Sequence, residues 1–400
     1  MKNAVVDIVI MGGGVAGLWL LNRLRQQGYV VVLLESGTLG GGQTIKAQGI
    51  IHGGMKYALQ GQLTAAMHAI ATMPALWRQA LAGEGHIDLS HVTVLSPHQY
   101  LWTTGGVTSK MAGFFASLSL KGQVEILTPD QYPPLFQHPQ FKGQVYSLNE
   151  MVIDTHSLIR ELAKLNQDVM FKVDPIQPEQ LEIDAKGHLH SIQIQLSQAA
   201  SMKLEAQKYI FAAGSGNEIL VNKLGSNVIN MQERPLHMVI VKHELPYEIY
   251  AHCLGLSAVP RITITTHRSH DNKWVWYLGG QLAEEGVKRD SKQQIKAARK
   301  ELKTLFPWLD FSSAQFSSFM INRAEALQSD GKRPDACYFK EIENMTVVWP
   351  VKLAFAPLLA NQVLHCLEQE NISPIKSDIR ELRAWPMPML ANPIWDDVFT

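Results

Sequence analysis

The chain has 400 residues, 46% of them hydrophobic, and its 36 basic residues balance 36 acidic ones. This length suffices for two packed domains, and a formal net charge of zero argues against a general nucleic-acid-binding protein, which needs an excess of positive charge. Three widely spaced cysteines indicate neither a disulfide framework nor a metal site, so we expect no metal. Without a signal-peptide pattern or a run of about 20 apolar residues, the sequence predicts a cytoplasmic protein.

The N-terminal residues have the pattern of a dinucleotide-binding unit. Residues 5–10 are typical of a buried strand, and Gly12, Gly14 and Gly17 complete a G-x-G-x-x-G turn directly after it. The three glycines permit a tight turn, close approach of the backbone to a pyrophosphate, and close packing of the next helix on the sheet. The N-terminus of that helix would face the anion.

The remainder of the unit follows in order. Residues 18–27 predict a mostly apolar helix, and residues 29–34 predict a second buried strand that leads into Glu35. The Glu35 carboxylate can bind a pair of ribose hydroxyls. Strand, turn, helix, strand and terminal acid within about 30 residues predict dinucleotide binding, with FAD and a nicotinamide cofactor both open at this point.

The next segment favours FAD. Residues 37–57 read GTLGGGQTIKAQGIIHGGMKY, a second glycine-rich loop that includes a short apolar pair followed by His52. A nicotinamide domain would normally continue with another βα unit. This segment instead resembles the flavin loop of the D-amino-acid oxidase-like FAD enzymes, and within them it is most similar to L-2-hydroxyglutarate oxidases and FAD-dependent glycerol-3-phosphate dehydrogenases.

The resemblance continues along most of the chain and implies FAD as the cofactor. Residues 152–158 are similar to the start of a helix capped by Asp154 or Thr155, and residues 169–173 to the strand whose backbone approaches the adenine. Residues 209–215 are similar to the strand and Ala-Gly turn that close the FAD domain. Residues 321–326, followed by 330–331, are similar to the hydroxyglutarate oxidase segment that supplies a substrate-facing arginine.

Three segments depart from the family pattern. Residues 349–354 read WPVKLA where many relatives have a glycine-rich helix start, and Pro350 lacks an N–H that could bond the flavin. Lys46 stands at about the place where some amine dehydrogenases of the superfamily carry a histidine bound covalently to FAD, so we expect non-covalent FAD. Residues 231–237 match the start of the substrate domain only loosely.

The predicted fold is α/β (α+β overall), with a Rossmann-like FAD-binding domain and an inserted antiparallel-sheet substrate domain. The FAD-binding domain is expected to be discontinuous, comprising residues 1–60, 150–225 and 335–400, while residues 61–149 and 226–334 form the substrate domain. The predicted elements outside the dinucleotide unit are helices at 63–81 and 353–367 and strands at 91–96, 238–242, 261–267 and 274–278, the last two paired through a turn at 269–273.

Oxidation by a flavin requires a base, a substrate anchor and a positive group near the flavin N1 and O2. His52 and His267 are the candidate bases. The alternative for His52 is a hydrogen bond to the flavin ribityl chain or to the backbone, and the alternative for His267 is a surface position. Arg323 is the candidate substrate anchor, with a structural salt bridge as the alternative. Lys352 is the candidate positive group, with a side chain that extends to solvent as the alternative. The residues expected to bind the cofactor are Gly12, Gly14, Val15, Ala16, Gly17, Glu35, Ser36, Gln43, Thr44, Gln48, Gly49, Val173, Ala213, Gly214, Lys352 and Leu353.

Together these features predict an FAD-dependent dehydrogenase or oxidase that transfers hydride from a small anionic 2-hydroxy acid or polyol phosphate to flavin N5. Oxygen, a quinone or another carrier would accept the electrons. The alternatives are an amine or amino-acid oxidase and a flavin-binding assembly subunit without turnover. Finally, residues 288–303 place Lys292, Lys296, Arg299 and Lys303 along one helix face, which is typical of a solvated face and compatible with peripheral contact at the inner face of the membrane.

Overall fold

The computed structural model describes residues 2–54, 70–105, 115, 124–196, 200–221, 229–254, 259–328, 334, 336–375 and 379–399. Within them the helices are α1 (Val15–Gln26), α2 (Met73–Leu81), α3 (Thr155–Lys164), α4 (Gly216–Val221), α5 (Gln281–Gly286), α6 (Ser291–Leu305), α7 (Ala356–Gln369) and α8 (Ile394–Val398). The strands are β1 (Lys2–Met11), β2 (Val31–Glu35), β3 (Ile50–Ile51), β4 (Val94–Ser96), β5 (Gln99–Trp102), β6 (Val124–Ile126), β7 (Val145–Leu148), β8 (Met151–Ile153), β9 (Met170–Lys172), β10 (Leu181–Ile183), β11 (Leu189–Leu196), β12 (Ala200–Phe211), β13 (Met231–His243), β14 (Ala251–Cys253), β15 (Ile262–Arg268), β16 (Trp274–Gly279), β17 (Gln315–Ala326), β18 (Tyr338–Ile342) and β19 (Met345–Trp349).

The first sheet is built around β1. Its strand order is β10-β11-β12-β1-β2-β9, with β19 also paired to β12 and β18 to β19. Strand β1 pairs in parallel with both β12 and β2. Ile8 and Ile10 pack with helices α1, α3 and α7, while Val9 and Met11 belong to the apolar cluster on the other face. Burial on both faces explains the continuous apolar run at residues 8–11. The predicted mixed α/β fold is confirmed.

The second sheet is almost entirely antiparallel. Its order is β17-β13-β16-β15-β14-β5-β7-β6, and only the β14–β5 pair among these neighbours is parallel. Helix α6 covers it through Ala298, Leu302 and Leu305, which pack in one cluster with Trp276. A small third sheet, β3-β8-β4, links segments of the chain that lie about 100 residues apart in sequence.

Most predicted elements of the second sheet are present. Strands β15 and β16 pair antiparallel with Thr266 opposite Trp276, and Ser269 N–H donates to Lys273 O (3.1 Å) in the connecting turn, as predicted. The strand predicted at 238–242 is longer, because β17 pairs with β13 from Met231 onward. The strand predicted at 91–96 is shorter, because its ladder with β8 involves only Val94 and Ser96.

The predicted helices also differ at their ends. Of the helix predicted at 63–81, residues up to 69 lie outside the described residues, and the described part is α2. The helix predicted at 353–367 begins later, because residues Leu353–Phe355 form a 3-10 turn before α7. Asp154, and not Thr155, caps α3: its carboxylate accepts from Ser157 N–H (2.6 Å).

The two larger sheets draw their strands from different parts of the chain. The first sheet uses residues 2–35, 170–211 and 338–349, whereas the second uses residues 99–148 and 231–326. This division is compatible with a discontinuous cofactor domain and an inserted second domain. The boundaries at 60, 150, 225 and 335 stay predictions.

The basic face of α6 is solvent-exposed at Lys292, Lys296 and Lys303. Arg299 is exposed as well, and its guanidinium lies 3.9 Å from the centre of the Phe316 ring. Of the helices that the structure describes, none combines the length and apolarity that crossing a bilayer requires. Peripheral membrane contact stays a prediction.

Candidate active site

Gly12 and Gly17 are required by their own surroundings. Gly12 has φ +108°, and a Cβ there would lie 2.5 Å from the carbonyl oxygen of Ala212 on the neighbouring strand. A Cβ on Gly17 would lie 1.9 Å from the carbonyl oxygen of Gly12. These contacts correspond to the tight turn and the close helix packing predicted from the motif.

Gly14 has a different environment. A Cβ at Gly14 would meet only the Thr44 hydroxyl oxygen, at 3.4 Å, and otherwise would enter the space above the start of α1. Gly14 is the N-cap of α1 and provides no side-chain cap, while Val15 N–H donates to Thr44 Oγ1 (3.0 Å). An uncapped helix N-terminus next to a cavity suits a phosphate group, because the helix dipole and its N–H groups favour an anion there.

Glu35 lies at the carboxyl end of β2, beside this turn. Its two carboxylate oxygens accept hydrogen bonds from Gly13 N–H (2.6 Å) and Gly37 N–H (2.5 Å), which fix the side chain at the edge of the cavity. Ser36 is exposed. Val173 is buried in the core, and its N–H donates to Glu35 O (3.1 Å).

A cavity of about 390 Å³ extends from this turn toward the second sheet. All of the predicted cofactor-binding residues except Gly17, Ser36 and Val173 line it. The glycine turn, the acid at the end of β2 and the second glycine-rich loop therefore surround one continuous space, and the residues present fit a dinucleotide. Leu236, Met238 and Ile321 from the second sheet complete the wall.

The wall of the cavity carries more positive than negative side chains. Lys46, Arg323 and Lys352 line it together with His52, and Glu35 is the one carboxylate among the described lining residues. Arg323 lies on β17 directly opposite Arg234 on β13, and its Nε donates to the Arg234 carbonyl oxygen (3.2 Å). The cavity wall is thus suited to an anion.

The segment before Lys352 is a strained turn. Val351 has φ +62°, and Lys352 N–H donates to the Pro350 carbonyl oxygen (2.6 Å), an i to i+2 bond that closes a γ-turn around Val351. A β-branched residue in this region of backbone space is an outlier. The turn brings Val351 and Lys352 to the cavity wall, where the resemblance predicts a glycine-rich helix start.

Lys46 belongs to a loop that is attached to the second sheet. The Tyr277 hydroxyl donates to the Lys46 carbonyl oxygen (2.7 Å), and Gln48 Nε2 donates to the Tyr277 carbonyl oxygen (2.9 Å). Tyr277 is fully buried, and burial raises the pKa of its hydroxyl above the ordinary value. Tyr277 therefore belongs to the core and positions the loop through these two bonds.

His52 makes contacts that the sequence analysis did not anticipate. Its Nδ1 lies 3.2 Å from Glu150 Oε2, and its ring lies nearly parallel to that of His252, with centroids 6.1 Å apart. Glu150 is 3% exposed and accepts from Gly53 N–H (2.8 Å). One ligand-type atom from each of the three residues lies within 4.8 Å of the others. Glu150 lies two residues before the 152–158 segment, but only the pairing of β3 with β8 brings it next to His52, and the sequence does not reveal that pairing.

His267 lies apart from these residues. Its imidazole is buried on β15, stacked on Trp395 with ring centroids 4.2 Å apart, and its Nε2 lies 3.0 Å from Thr265 Oγ1. Burial lowers the pKa of His267 to about 4, although the charge of Asp154 opposes this shift. His267 does not line the described cavity, in contrast to His52, Arg323 and Lys352. A catalytic role for His267 stays a prediction, and its buried position away from the cavity wall does not support that role.

Comparison with known proteins gives consistent matches. Residues 7–330 match the family model described as DAO, FAD dependent oxidoreductase. The chain is 45% identical over 394 residues to the probable FAD-dependent oxidoreductase PA4991 of Pseudomonas aeruginosa, covering 98% of both sequences. The crystal structure of PA4991 superposes with a TM-score of 0.86 at 40% identity, covering 100% of both chains.

Two more distant solved structures share the fold. Glycine oxidase from Geobacillus kaustophilus superposes with a TM-score of 0.64 at 16% identity, covering 94% of this chain and 98% of that one. L-alpha-glycerophosphate oxidase from Mycoplasma pneumoniae, with FAD bound, superposes with a TM-score of 0.63 at 13% identity, covering 98% of this chain and 100% of that one.

Proposed function

Because the chain belongs to the DAO family of FAD-dependent oxidoreductases, we propose that it oxidises a small anionic 2-hydroxy acid or polyol phosphate. FAD is its cofactor. When bound, FAD supplies the hydride acceptor, and the protein must bind the substrate, orient it and take up a proton. The observation that carries the substrate class is the charge of the cavity wall, where three cations from separate segments outnumber a single carboxylate among the described lining residues.

Arg323 is the proposed anchor. It is half-buried on the cavity wall, and its backbone is fixed in the β13–β17 ladder. The bond from Nε to Arg234 O orients the guanidinium plane. A guanidinium held in one orientation can bind a carboxylate or phosphate with two parallel hydrogen bonds.

His52 is the proposed base, and Lys352 and Lys46 add positive charge near the reacting group. His52 is 37% exposed through the cavity and is backed by the buried Glu150 carboxylate. A hydroxyl group must lose its proton when its carbon is oxidised, whereas a neutral amine can lose hydride without a base. The carboxylate behind His52 therefore favours a hydroxy substrate over the amine or amino-acid alternative.

The proposal is tested by anaerobic bleaching of the bound flavin with a panel of hydroxy acids, polyol phosphates and amino acids. With the compound that bleaches it, Arg323→Ala should lower kcat/KM by roughly 30- to 1000-fold, equivalent to about 2–4 kcal/mol, because the substrate charge loses its partner. Arg323→Lys should recover only part of this loss, since a point charge cannot replace the bidentate fork.

The matched control is Arg25→Ala, which removes an arginine that pairs with Asp168 on the surface (2.8 Å) and does not line the cavity. Its kcat/KM should equal that of the parent. Parental efficiency in Arg323→Ala would make Arg323 structural. Bleaching by amino acids alone would replace the hydroxy-substrate proposal with the amino-acid oxidase.

A further inference from the structure

His52 and Glu150 face each other because of sheet register. Strands β3 and β8 pair antiparallel with Ile51 opposite Met151, so the next position outward sets His52 against Glu150. The Glu150 backbone is held at this point, since its carbonyl oxygen accepts from Gln99 N–H (2.8 Å). The separation of His52 Nδ1 and Glu150 Oε2, 3.2 Å, therefore follows from backbone pairing at both ends.

The surroundings of the Glu150 carboxylate favour its ionised form despite its burial. Burial alone would raise the pKa of Glu150, but the hydrogen bond and charge of His52, the charge of His252 and the Gly53 N–H together hold that pKa below its usual value. An ionised carboxylate can only accept hydrogen bonds. Its partner nitrogen on His52, Nδ1, must therefore carry a proton, which leaves Nε2 as the basic nitrogen.

His252 reaches the same carboxylate from the second sheet. It lies on β14 opposite Thr263 of β15, and its Nδ1 is 2.8 Å from the Thr263 hydroxyl oxygen. Its ring stacks on His52 at 15° between planes. A ring nitrogen of His252 and a carboxylate oxygen of Glu150 lie within 4.8 Å of each other, so the negative charge of Glu150 can stabilise a protonated imidazole of His52 beside His252. Neither Glu150 nor His252 lines the cavity, so both act on the reaction only through His52.

We infer that Glu150 is a positioning residue that holds His52 in the Nδ1–H tautomer with Nε2 available to take the substrate proton, and that the stacked ring of His252 helps to orient the His52 imidazole. This inference rests on the proposed role of His52 as base. It deepens that role by naming the two residues that orient it and stabilise its protonated form. The arrangement needs no metal to hold it, since His52 Nδ1 and both Glu150 carboxylate oxygens already have a hydrogen-bond partner.

The first test reads the tautomer directly and requires no substrate. The FAD-loaded protein with ¹⁵N-labelled histidine should show His52 in the Nδ1–H form in two-bond ¹H–¹⁵N spectra, with the signal assigned by His52→Asn. Glu150→Gln should give a mixture of tautomers, and Glu150→Asp should retain the Nδ1–H form. If Glu150→Gln leaves the tautomer unchanged, the inference is wrong.

The second test uses turnover. Glu150→Gln should lower kcat roughly 100-fold, within the range expected for losing an oriented general base, while KM changes by less than about threefold. Glu150→Asp should recover part of kcat. Glu125→Gln is the matched control, because Glu125 is exposed on β6, and its kcat should equal the parental value. Because Glu150→Gln alters a buried site, its unfolding midpoint and flavin spectrum are compared with those of the parent. His252→Gln provides a second variant, which should also lower kcat.

The outcomes separate this inference from the proposed function. If no hydroxy compound bleaches the flavin, the proposed substrate class fails while the tautomer measurement still decides the role of Glu150. Metal analysis provides the opposing outcome: stoichiometric zinc or iron in the parental protein that is lost in Glu150→Gln would assign the three residues to a metal site and overturn the inference.

Discussion

Replacing Gly14 with valine should prevent FAD binding and leave the apoprotein folded. The backbone at Gly14 (φ −75°, ψ −177°) is accessible to valine, and a Cβ there meets only Thr44 Oγ1 at 3.4 Å. The cost to the apoprotein should therefore stay near 1 kcal/mol. The added methyl groups, however, would occupy the space over the first N–H groups of α1, where a pyrophosphate would bind.

The magnitude follows from the bonds that would be lost. A hydrogen bond to a charged group contributes about 1.5–3 kcal/mol, so excluding the pyrophosphate from two N–H groups should cost about 3–6 kcal/mol. This corresponds to an increase in the Kd for FAD of roughly 10²- to 10⁴-fold. Gly17→Ala should behave differently, because its Cβ would lie 1.9 Å from a backbone oxygen and destabilise the apoprotein itself by about 1–3 kcal/mol or more.

The assay combines FAD titration of the apoprotein, followed by flavin fluorescence, with urea unfolding of the same sample. Gly14→Val should raise the Kd and lower the unfolding midpoint only slightly, by the equivalent of about 1 kcal/mol, whereas Gly17→Ala should lower the midpoint further. If Gly14→Val binds FAD with parental affinity, the pyrophosphate does not lie at Gly14. If Gly14→Val unfolds as easily as Gly17→Ala, the space above α1 is not as open as the structure indicates.

Two further predictions concern the cofactor and stability. Acid precipitation should release yellow FAD into the supernatant, because Lys46 replaces the histidine used for covalent attachment in amine dehydrogenases; colour retained in the pellet would contradict non-covalent binding. The pKa of His267 is about 4 in the folded protein and near 6.5 in the unfolded chain, so the unfolded chain binds the proton more tightly. The free energy of unfolding should therefore fall by up to about 3 kcal/mol as the pH falls from 6.5 to 4. Urea unfolding at pH 7 and pH 5 should show this loss, and His267→Gln should flatten the dependence; an unchanged dependence in that variant would assign it to other groups.

The dinucleotide unit could be predicted because its signals are local. Gly12 and Gly17 are each required by a backbone neighbour in the turn or at the end of the adjacent strand, and the continuous apolar runs reflect burial on both faces of a parallel sheet. Asp154 could be predicted as one of two caps for the same reason, since an N-cap bonds an N–H only three residues away.

The base and its partners could not be predicted together. Glu150 meets His52 through the register of β3 and β8, which joins segments 98 residues apart, and His252 arrives from a different sheet. A sequence pattern carries no information on such pairing. His267 has the residue type and strand position of a candidate base, but neighbouring Trp395 comes from the last helix, α8, and buries it.

The anion preference proposed for the cavity is likewise a property of tertiary structure. The chain has no net charge, and the three cations lie at positions 46, 323 and 352 in three unrelated segments. Tyr277 fixes the first through its bond to the Lys46 carbonyl, the β13–β17 ladder fixes the second, and the strained turn at Val351 presents the third. Because only the Glu35 carboxylate opposes them within the described wall, the cavity wall carries an excess of positive side chains. A wall with this excess of positive side chains would attract an anionic substrate in preference to a neutral one, and none of the three segments reveals that preference on its own.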